Sequence, residues 1–433
     1  METVTSVGVN TNVCALSDQV KKYKSKEIST PSTNQDGRKM NPRGSIDAPL
    51  CDTLTVSCIK VLTRHFVTSP DLKGIPQKLL PQITERLPVD LDVTITGPHL
   101  LDENYWKRCC YARKGWSNLQ IMQHGQSWRQ LYIERNLQDI LETFDIEECT
   151  LEHLMAIVSA SQDSVFSLTI VQLLSHIDMD TVCSKLLNLT QLHLTYGVKQ
   201  IGMKYERMIF GMKISDATAL SRYLKNSLRL VTLKIPNNLI DDDLLRMLMT
   251  GLIKNNTITY LDISHNKITN HGARLLAKLL GPNSVLTTLD LCDNHIHAEG
   301  GRYLSRGLRY NTSLVDLNLR LNRLTDSGGR FLIEGLMENT TLQALQLSSN
   351  SMGAMTAHAL SKYVQLPTCA LTRIICTGND FNEDDVKRLF EGLQHNVNII
   401  SFDLRMNACP AGASVLVDCA RILRRNEIEL RNK

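Results

Sequence analysis

Apolar and polar positions in the second half of the chain follow a frame that recurs at a nearly constant interval. One copy reads LVDLNLRLNRLTDSGG from Leu314, with apolar residues at its first, fourth and sixth places and an asparagine at its ninth. Such alternation predicts a short strand with one face buried. Apolar pairs at helical spacing follow, as in Leu275, Leu276, Leu279 and Leu280, and predict a helix after each strand. The asparagine marks seven evenly spaced copies, at Asn238, Asn266, Asn294, Asn322, Asn350, Asn379 and Asn407.

A frame of this length and order is typical of the leucine-rich repeat in its long, helix-containing form. Because one repeat cannot bury its own apolar face, stacked repeats must share a core. We therefore predict an α/β fold: a ribonuclease-inhibitor-like solenoid of leucine-rich repeats, with seven or eight parallel strands on the concave side and helices on the convex side. A degenerate eighth unit at Leu189, Leu192 and Leu194 lacks the asparagine and is expected to cap the array.

The repeat asparagines are expected to be structural, because each can hydrogen-bond backbone groups of neighbouring repeats. Asp241, Asn270 and Asp326 fall where the helices begin, which suits N-capping. The acidic runs Asp241–Asp243 and Glu383–Asp385 invite a metal-binding interpretation. The helix dipole favours acidic side chains at these places, however, so a structural role is preferred.

Motifs of three enzyme classes are absent from the sequence: the G-x-x-x-x-G-K-[ST] phosphate loop, the H-E-x-x-H zinc motif and the G-x-S-x-G nucleophile elbow. His265, His295 and His297 cluster at adjacent repeat turns without cysteine partners at ligand spacing. We therefore predict no metal, no cofactor and no enzymatic activity.

Between the buried leucines, the strands carry outward-facing side chains on the predicted concave surface. Their mixed charge would suit a specific protein partner. A solvated sheet face must be polar in any case, so a purely structural interpretation stays open as well. The candidate partner-binding residues are Tyr260, Asp262, Asp290, Asp316, Asn318, Arg320, Gln346, Arg373, Asp403 and Arg405.

Four segments are predicted along the chain. They are a disordered polar and basic tail at 1–45, a small helical domain at 50–184, the solenoid at 185–410, and a capping helix with a basic end at 411–433. All three tryptophans, Trp106, Trp116 and Trp128, fall in the helical domain. They either pack within that domain or against the first repeat, or they dock a partner.

The composition is that of an ordinary globular protein, with 433 residues, 21% of them charged, and a net charge of +4. This charge does not by itself indicate nucleic-acid binding. No apolar run approaches the roughly 18 residues of a membrane helix, and the first residues lack a secretory pattern. Twelve cysteines without a C-x-x-C motif predict reduced thiols in an intracellular chain. We expect neither nucleic acid nor a membrane as partner.

Two stretches go beyond a generic repeat protein: DENYWKRCC at Asp102–Cys110 and SWRQLYIERNLQDILETF at Ser127–Phe144. They resemble the N-terminal region of the dynein regulatory complex subunit 5 family, the t-complex-associated testis-expressed leucine-rich-repeat proteins. The repeats SLVDLNLRLNRLTDSGG and SFDLRMN are similar to repeats of the same family. The resemblance covers about residues 50–425, and a longer acidic insert associated with some members is absent.

The resemblance implies a non-enzymatic structural subunit of the nexin–dynein regulatory complex, which links outer microtubule doublets in cilia and flagella. Such a subunit would bind other subunits of the complex, in proximity to the doublets, and help regulate dynein-driven sliding and sperm motility. The implied location is the axoneme, as part of the cytoskeleton and cytoplasm.

Two other functions stay open at the level of sequence. Leucine-rich-repeat activators of Ran-type GTPases have a similar repeat length and act through residues at the repeat turns, although the long acidic tail associated with them is absent here. A ubiquitin-ligase substrate adaptor would need an F-box-like helical motif near residues 50–100, which that segment does not fit convincingly.

Overall fold

The computed structural model describes residues 52–145, 150–198, 210–410 and 414–431. The predicted disordered tail at 1–45 lies outside these residues. The chain divides into two compact units, Met1–Val165 and Phe166–Lys433.

The first unit is helical in the residues that are described. Its elements are α1 (Leu54–His65), α2 (Leu80–Thr84), α3 (Val93–Thr96), α4 (Glu103–Ala112), a 3-10 turn (Ile121–His124), α5 (Trp128–Thr143) and α6 (Leu151–Ser161). Helix α4 packs against α5 and buries Trp106, whose indole N–H donates to the Leu100 carbonyl at 2.9 Å. The Tyr132 ring on α5 lies 5.2 Å from that of Trp106 and 5.5 Å from that of Trp116. The Trp128 ring lies 5.7 Å from that of Tyr111, so all three tryptophans make ring contacts inside this unit.

The second unit contains one parallel sheet of nine strands that follow one another in chain order. The strands are β1 (Ser167–Ile170), β2 (Gln191–Leu194), β3 (Thr232–Lys234), β4 (Tyr260–Asp262), β5 (Thr288–Asp290), β6 (Asp316–Asn318), β7 (Ala344–Gln346), β8 (Arg373–Ile375) and β9 (Ser401–Asp403). The helices are α7 (Met179–Cys183), α8 (Ile214–Asn226), α9 (Asp242–Leu252), α10 (Asn270–Leu279), α11 (Ala298–Arg309), α12 (Thr325–Leu336), α13 (Ala354–Val364), α14 (Glu383–Leu393) and α15 (Ser414–Arg431). The predicted α/β solenoid of leucine-rich repeats is confirmed.

The sheet begins earlier in the chain than the repeat pattern predicts. Strand β1 pairs with β2, so a ninth strand precedes the degenerate unit. The division between the two units accordingly follows Val165, whereas the predicted solenoid starts at residue 185. This first repeat is hard to see in the sequence because the paired residues Ser167 and Gln191 are closer together in the chain than equivalent residues of later repeats.

The last helix closes the apolar core at the other end. Helix α15 buries Val415 and Cys419, and the amide of the fully buried Asn426 donates to the Ile399 carbonyl at 2.8 Å. It extends to Arg431, within the predicted capping segment at 411–433.

The asparagine at each strand-to-helix turn joins its own repeat to the one before it. Asn322 donates from Nδ2 to the carbonyls of Leu291 and Leu319, at 2.9 and 3.1 Å, and its Oδ1 accepts from the N–H of Ile296 at 3.1 Å. The residue before each asparagine adopts a left-handed conformation with φ between 52° and 65°. These residues are Asn237, His265, Asp293, Leu321, Ser349, Gly378 and Met406.

A second set of asparagines stabilises the opposite turn, from helix back to strand. Asn339 donates to the carbonyls of Leu308 and Asn311 in the preceding repeat, and its Oδ1 accepts from the N–H groups of Thr341 and Leu342. Asn255, Asn311 and Asn396 make corresponding bonds. The two ladders satisfy buried backbone groups on both sides of the core.

Helix capping differs from the sequence prediction at two of three positions. Asp241 caps its own helix α9, accepting from the N–H groups of Asp243 and Leu244. Asn270 and Asp326 instead lie inside the first turn and accept from N–H groups at the start of the next repeat's helix. The prediction that they cap their own helices was wrong, because side chains in the first turn point back toward the helix N-terminus and there meet the neighbouring repeat.

Candidate protein-binding site on the concave sheet

The outward face of the sheet presents two rows of side chains, one on each side of the central apolar residue of each strand, and all of them except the buried Ala344 are half-buried or exposed. Strand register puts Thr232, Tyr260, Thr288, Asp316, Ala344, Arg373 and Ser401 in the first row. The second row contains His193, Lys234, Asp262, Asp290, Asn318, Gln346, Ile375 and Asp403. At about 4.8 Å per strand, the surface from β4 to β9 is about 24 Å long.

Eight of the ten predicted site residues lie in these two rows. Tyr260, Asp262, Asp290, Asp316 and Asn318 come together on three adjacent strands. Gln346 and Arg373 continue the surface on β7 and β8, and Asp403 ends it on β9. Arg320 and Arg405 are exposed and follow β6 and β9 by two residues, so they border the surface without lying in either row.

Most second-row carboxylates and amides also terminate their own strands. Oδ1 of Asp290 accepts from the N–H of Cys292 at 2.9 Å, and Oδ1 of Asp262 accepts from the N–H of Ser264 at 3.0 Å. Asn318 and Asp403 accept from the residue two positions on in the same way. These are Asx turns, in which one side-chain oxygen replaces a backbone acceptor. The second polar atoms of Asp290 and Asn318 bond to each other, and Oδ2 of Asp403 binds Arg405. The structural and the partner-binding interpretations are therefore most simply compatible at Asp262, whose Oδ1 alone makes the turn.

The middle of the surface is acidic. We call Tyr260, Asp262, Asp290 and Asp316 the concave acidic centre. Burial raises the pKa of Asp290, although hydrogen bonds from the Cys292 N–H and from Asn318 oppose the shift. Burial likewise raises the pKa of Asp316, against the charge of Arg373. Burial, followed by the charges of the three aspartates, raises the pKa of Tyr260.

Few cations offset this centre. The Arg373 guanidinium lies 3.3 Å from Oδ2 of Asp316, two strands away, and reaches across Ala344, whose small side chain leaves the space. On the other side, Nζ of Lys234 lies 5.1 Å from the centroid of the Tyr260 ring. Arg405 is engaged by Asp403 at 2.6 Å and holds the pKa of that carboxyl below its ordinary value.

Two ionisable residues of the surface were missing from the sequence prediction. Lys234 and His193 occupy the second row on β3 and β2. Burial, and then the charge of Lys234, lowers the pKa of His193 below its ordinary value. Lys234 could have been predicted from the repeat spacing, since it stands one full repeat before Asp262.

We predict that Asp290→Asn raises the free energy of unfolding at pH 7 by less than about 1 kcal/mol. The folded-state pKa of Asp290 is raised, so ionisation opposes folding, and this group's stabilising contribution is lost as pH rises through that pKa. The asparagine keeps the Oδ1 acceptor for the Cys292 N–H without the charge, but its Nδ2 cannot accept from Asn318 as Oδ2 does, which keeps the gain small. Urea unfolding across a pH series should show the advantage of the variant shrinking toward pH 4, near the ordinary pKa of about 3.9. The exposed Asp380→Asn is the control, and an equal pH profile for both variants would refute the prediction.

The residues considered for metal binding have other partners. Asp241 caps α9, and Asp385 forms a capping box with Asn382 at the start of α14. His265 Nδ1 lies 2.8 Å from a carboxylate oxygen of Asp293. Among the described residues, no group of three or more His, Cys, Asp or Glu side chains is arranged to hold a metal ion. In the same ranges no helix has the length and apolar character to cross a bilayer.

Comparisons with known proteins support the repeat assignment and the family resemblance. Residues 254–277, 283–305, 310–332 and 338–354 match the family model described as Leucine Rich repeat. A Chlamydomonas reinhardtii protein named dynein regulatory complex subunit 5 is 39% identical over 191 residues, which cover 44% of this chain and 48% of that protein. Proteins of the same name from Mus musculus and Homo sapiens are 30% and 29% identical over 239 residues, covering 49% of this chain and 48% and 47% of theirs.

The resemblance to proteins named dynein regulatory complex subunit 5 is thereby confirmed over about half of the chain. This extent is shorter than the predicted one, residues 50–425. The chain in turn spans about half the length of the curated relatives it matches.

Proposed function

We propose that this chain is a non-enzymatic scaffold subunit of the nexin–dynein regulatory complex in the axonemes of cilia and flagella. The observation that carries the proposal is the 39% identity with the Chlamydomonas reinhardtii protein named as a subunit of that complex. In this role the chain binds other subunits of the complex beside the microtubule doublets and helps regulate dynein-driven sliding.

The architecture suits a scaffold. Nine strands in continuous register hold the outward residues at fixed intervals, and two asparagine ladders tie each repeat to the next. A binding surface on such rigid elements keeps its geometry under load better than one on loops. Repeat arrays of this kind offer an extended surface along which one partner can lie.

We propose that the concave surface is the contact for a neighbouring subunit. The concave acidic centre places three carboxylates on adjacent strands with few cations nearby, which fits a partner segment that presents lysine or arginine. Arg320, on the border, then pairs with an acidic side chain at the edge of the same contact. Mixed charges in this arrangement fix the orientation of the partner more than they add affinity.

Membership of the complex is tested by purification. A tagged copy would replace the endogenous protein in a flagellated cell, and the complex would be salt-extracted from axonemes and analysed by mass spectrometry. We expect dynein regulatory complex subunits to co-purify in near-equal amounts with the tagged chain. Recovery of the tagged chain without any of them would refute the proposal.

Reversing two border arginines tests the concave contact. The double substitution Arg320→Glu and Arg405→Glu should weaken partner binding by roughly 2 kcal/mol or more. Its effect on stability should stay within about 0.5 kcal/mol per site, because both side chains are exposed. Binding is measured by titrating the purified chain into axonemes or complex that lack it.

The matched control is Lys225→Glu with Lys254→Glu, two exposed lysines at the ends of helices α8 and α9. It makes the same change in net charge on the helical side of the array, and binding should be unaffected. Unchanged binding in the folded concave variant, or equal losses in both variants, would rule out the concave surface as the contact.

A further inference from the structure

A cationic ladder runs along the convex helices at one position per repeat. Arg246, Arg274, Arg302 and Arg330 occupy equivalent places in α9, α10, α11 and α12. The place is held by His358 in α13 and by Lys387 in α14. Neighbouring helices in these repeats pack against one another, so the cations form a row across them. The spacing of packed helices sets successive cations about 8–10 Å apart.

Most of these cations have a carboxylate on their own helix. Arg246 lies 2.9 Å from Asp243, Arg302 lies 3.7 Å from Glu299, and Arg330 lies 3.7 Å from Glu334. Lys387 lies 3.0 Å from Glu383. These are exposed pairs within one helix, and their charges largely cancel at a distance.

Arg274 differs from the other members of the ladder. The places that hold its neighbours' acids carry His271 and Lys278, so helix α10 has two permanent cations and no carboxylate. The adjacent helix α11 adds Arg302, Arg306 and Arg309 against the single Glu299. Positive charge therefore concentrates on two packed helices.

We call Arg274, Lys278, Arg302, Arg306 and Arg309 the convex cationic patch. The helices on either side limit the positive area, because each has two acidic residues and one arginine. The acidic residues are Asp242 and Asp243 on α9, and Asp326 and Glu334 on α12. Within the part of the chain that the structure describes, Arg274, Lys278 and Arg306 are exposed and make no ion pair with a carboxylate. Arg302 lies near Glu299 and Arg309 lies 3.4 Å from Glu338, so the patch has three uncompensated cations between defined borders.

One aromatic ring holds two of these guanidinium groups in place. The Arg274 and Arg306 guanidinium carbons each lie 5.9 Å from the centroid of the Tyr303 ring, one from α10 and the other from α11. Stacking on an aromatic ring restricts long side chains before any partner arrives. Because less side-chain freedom is then lost on binding, the patch is organised in advance for a ligand.

We propose that the convex cationic patch docks an acidic polypeptide segment, with several glutamates or aspartates close together, from another protein. Guanidinium groups form paired hydrogen bonds with carboxylates. Cations on one helix turn are about 5.4 Å apart, close to the roughly 6.7 Å between alternate side chains of an extended peptide. The longest acidic runs within these 433 residues, Asp241–Asp243 and Glu383–Asp385, have three residues each.

A nucleic acid fits the patch less well. Phosphate chains gain affinity from many contacts along an extended basic path. Here the acidic side chains of α9 and α12 would meet the strand as it left the patch on either side. The inference goes beyond the proposed function, because it concerns the opposite surface and does not depend on membership of any complex.

The test is fluorescence anisotropy of a labelled oligoglutamate peptide titrated with the full purified chain at low and at physiological salt. We expect binding that weakens as salt rises. Arg274→Glu with Arg306→Glu should lower the affinity about tenfold or more. The control, Arg246→Glu with Lys387→Glu, makes the same charge change at self-compensated positions and should stay within about twofold.

A third variant tests whether the position of the guanidinium groups matters in addition to their charge. Tyr303→Leu keeps every cation and should weaken the peptide about threefold, because the two guanidinium groups lose their common support. Circular dichroism and thermal unfolding would confirm that each variant is folded. The proposal is overturned by absence of peptide binding at low salt, by equal effects of the two double reversals, or by tighter binding of an oligothymidylate of the same charge.

Discussion

Replacing Asn322 with alanine will lower the free energy of unfolding of the repeat array by about 2 kcal/mol, the usual scale for a buried polar group that loses its partner. The cost arises from one buried group above all, the N–H of Ile296, which donates to Oδ1 of Asn322 at 3.1 Å. A buried donor left without its acceptor costs about 1–3 kcal/mol. The carbonyl of Leu291 suffers less, because Asn294 also donates to it.

Denaturant unfolding followed by circular dichroism and by fluorescence will measure this loss. Asn283→Ala is the control, since Asn283 is exposed and lies outside both asparagine ladders. Its substitution should change stability by no more than about 0.5 kcal/mol. If both variants unfold at the same denaturant concentration, the strand-to-helix asparagines do not stabilise the stack in the way described.

Replacing Gly335 with alanine will destabilise the array by about 2 kcal/mol or more, because the added methyl group overpacks a tight helix contact. Helix α12 approaches α11 so closely here that a Cβ on Gly335 would lie 2.6 Å from both the carbonyl oxygen and the Cβ of Ser305. Backbone cannot yield as a flexible side chain can, and overpacking of this kind typically costs about 1–3 kcal/mol. In an open helix the same change would be favourable by about 1 kcal/mol.

Thermal and denaturant unfolding provide the measurement, with Gly281→Ala as the matched control. At Gly281 an added Cβ would have no neighbour nearer than the Lys278 carbonyl at 3.5 Å. That variant should be as stable as the parent chain. A Gly335→Ala variant that is equally stable would mean that the convex helices have room to separate.

The repeat array was predictable because its period is strict and because burial on one face of a strand leaves an alternating pattern. Leu317 and Asn322 have equivalents in seven consecutive repeats, so the strand, the turn and the helix of each could be located from spacing alone. Strand β1 lacks this advantage. It belongs to a shorter repeat without the asparagine, and its pairing with β2 depends on the three-dimensional stack.

The sequence predicted which side chains of the candidate site face outward. The electrostatics of the site were not predictable, because they depend on contacts between residues one or two repeats apart. The Asp316–Arg373 pair spans two strands and depends on the small side chain of Ala344 between them. The hydrogen bonds of Asp326 to the next helix are of the same kind, and they were misjudged for the same reason.

Those bonds also explain the electrostatics of Asp326. Burial alone would raise the pKa of this carboxyl, but N–H groups of Met355, Thr356 and Gly353 outweigh it and leave the pKa below its ordinary value. A residue that caps its own helix and one that caps the next look alike in sequence. The distinction requires the position of the neighbouring repeat.

The cationic ladder on the convex helices is present in the sequence, but its spacing alone does not indicate a binding site. Arginines at Arg246, Arg274, Arg302 and Arg330 follow the same period as the leucines, yet exposed charges on a helix face are ordinary. The packing of α10 against α11, which brings the guanidinium groups of Arg274 and Arg306 to the same Tyr303 ring, distinguishes the convex cationic patch from a common solvated surface.

The proposed role as an axonemal scaffold is tested most directly by fractionating ciliated or flagellated cells that express the protein. Membranes would be removed with detergent, and the axonemes washed in rising salt while the chain is followed by immunoblot. We predict that it stays with the microtubule doublets after detergent and leaves them together with known subunits of the dynein regulatory complex. Release of the chain into the detergent-soluble fraction, with those subunits still on the doublets, would contradict the proposal.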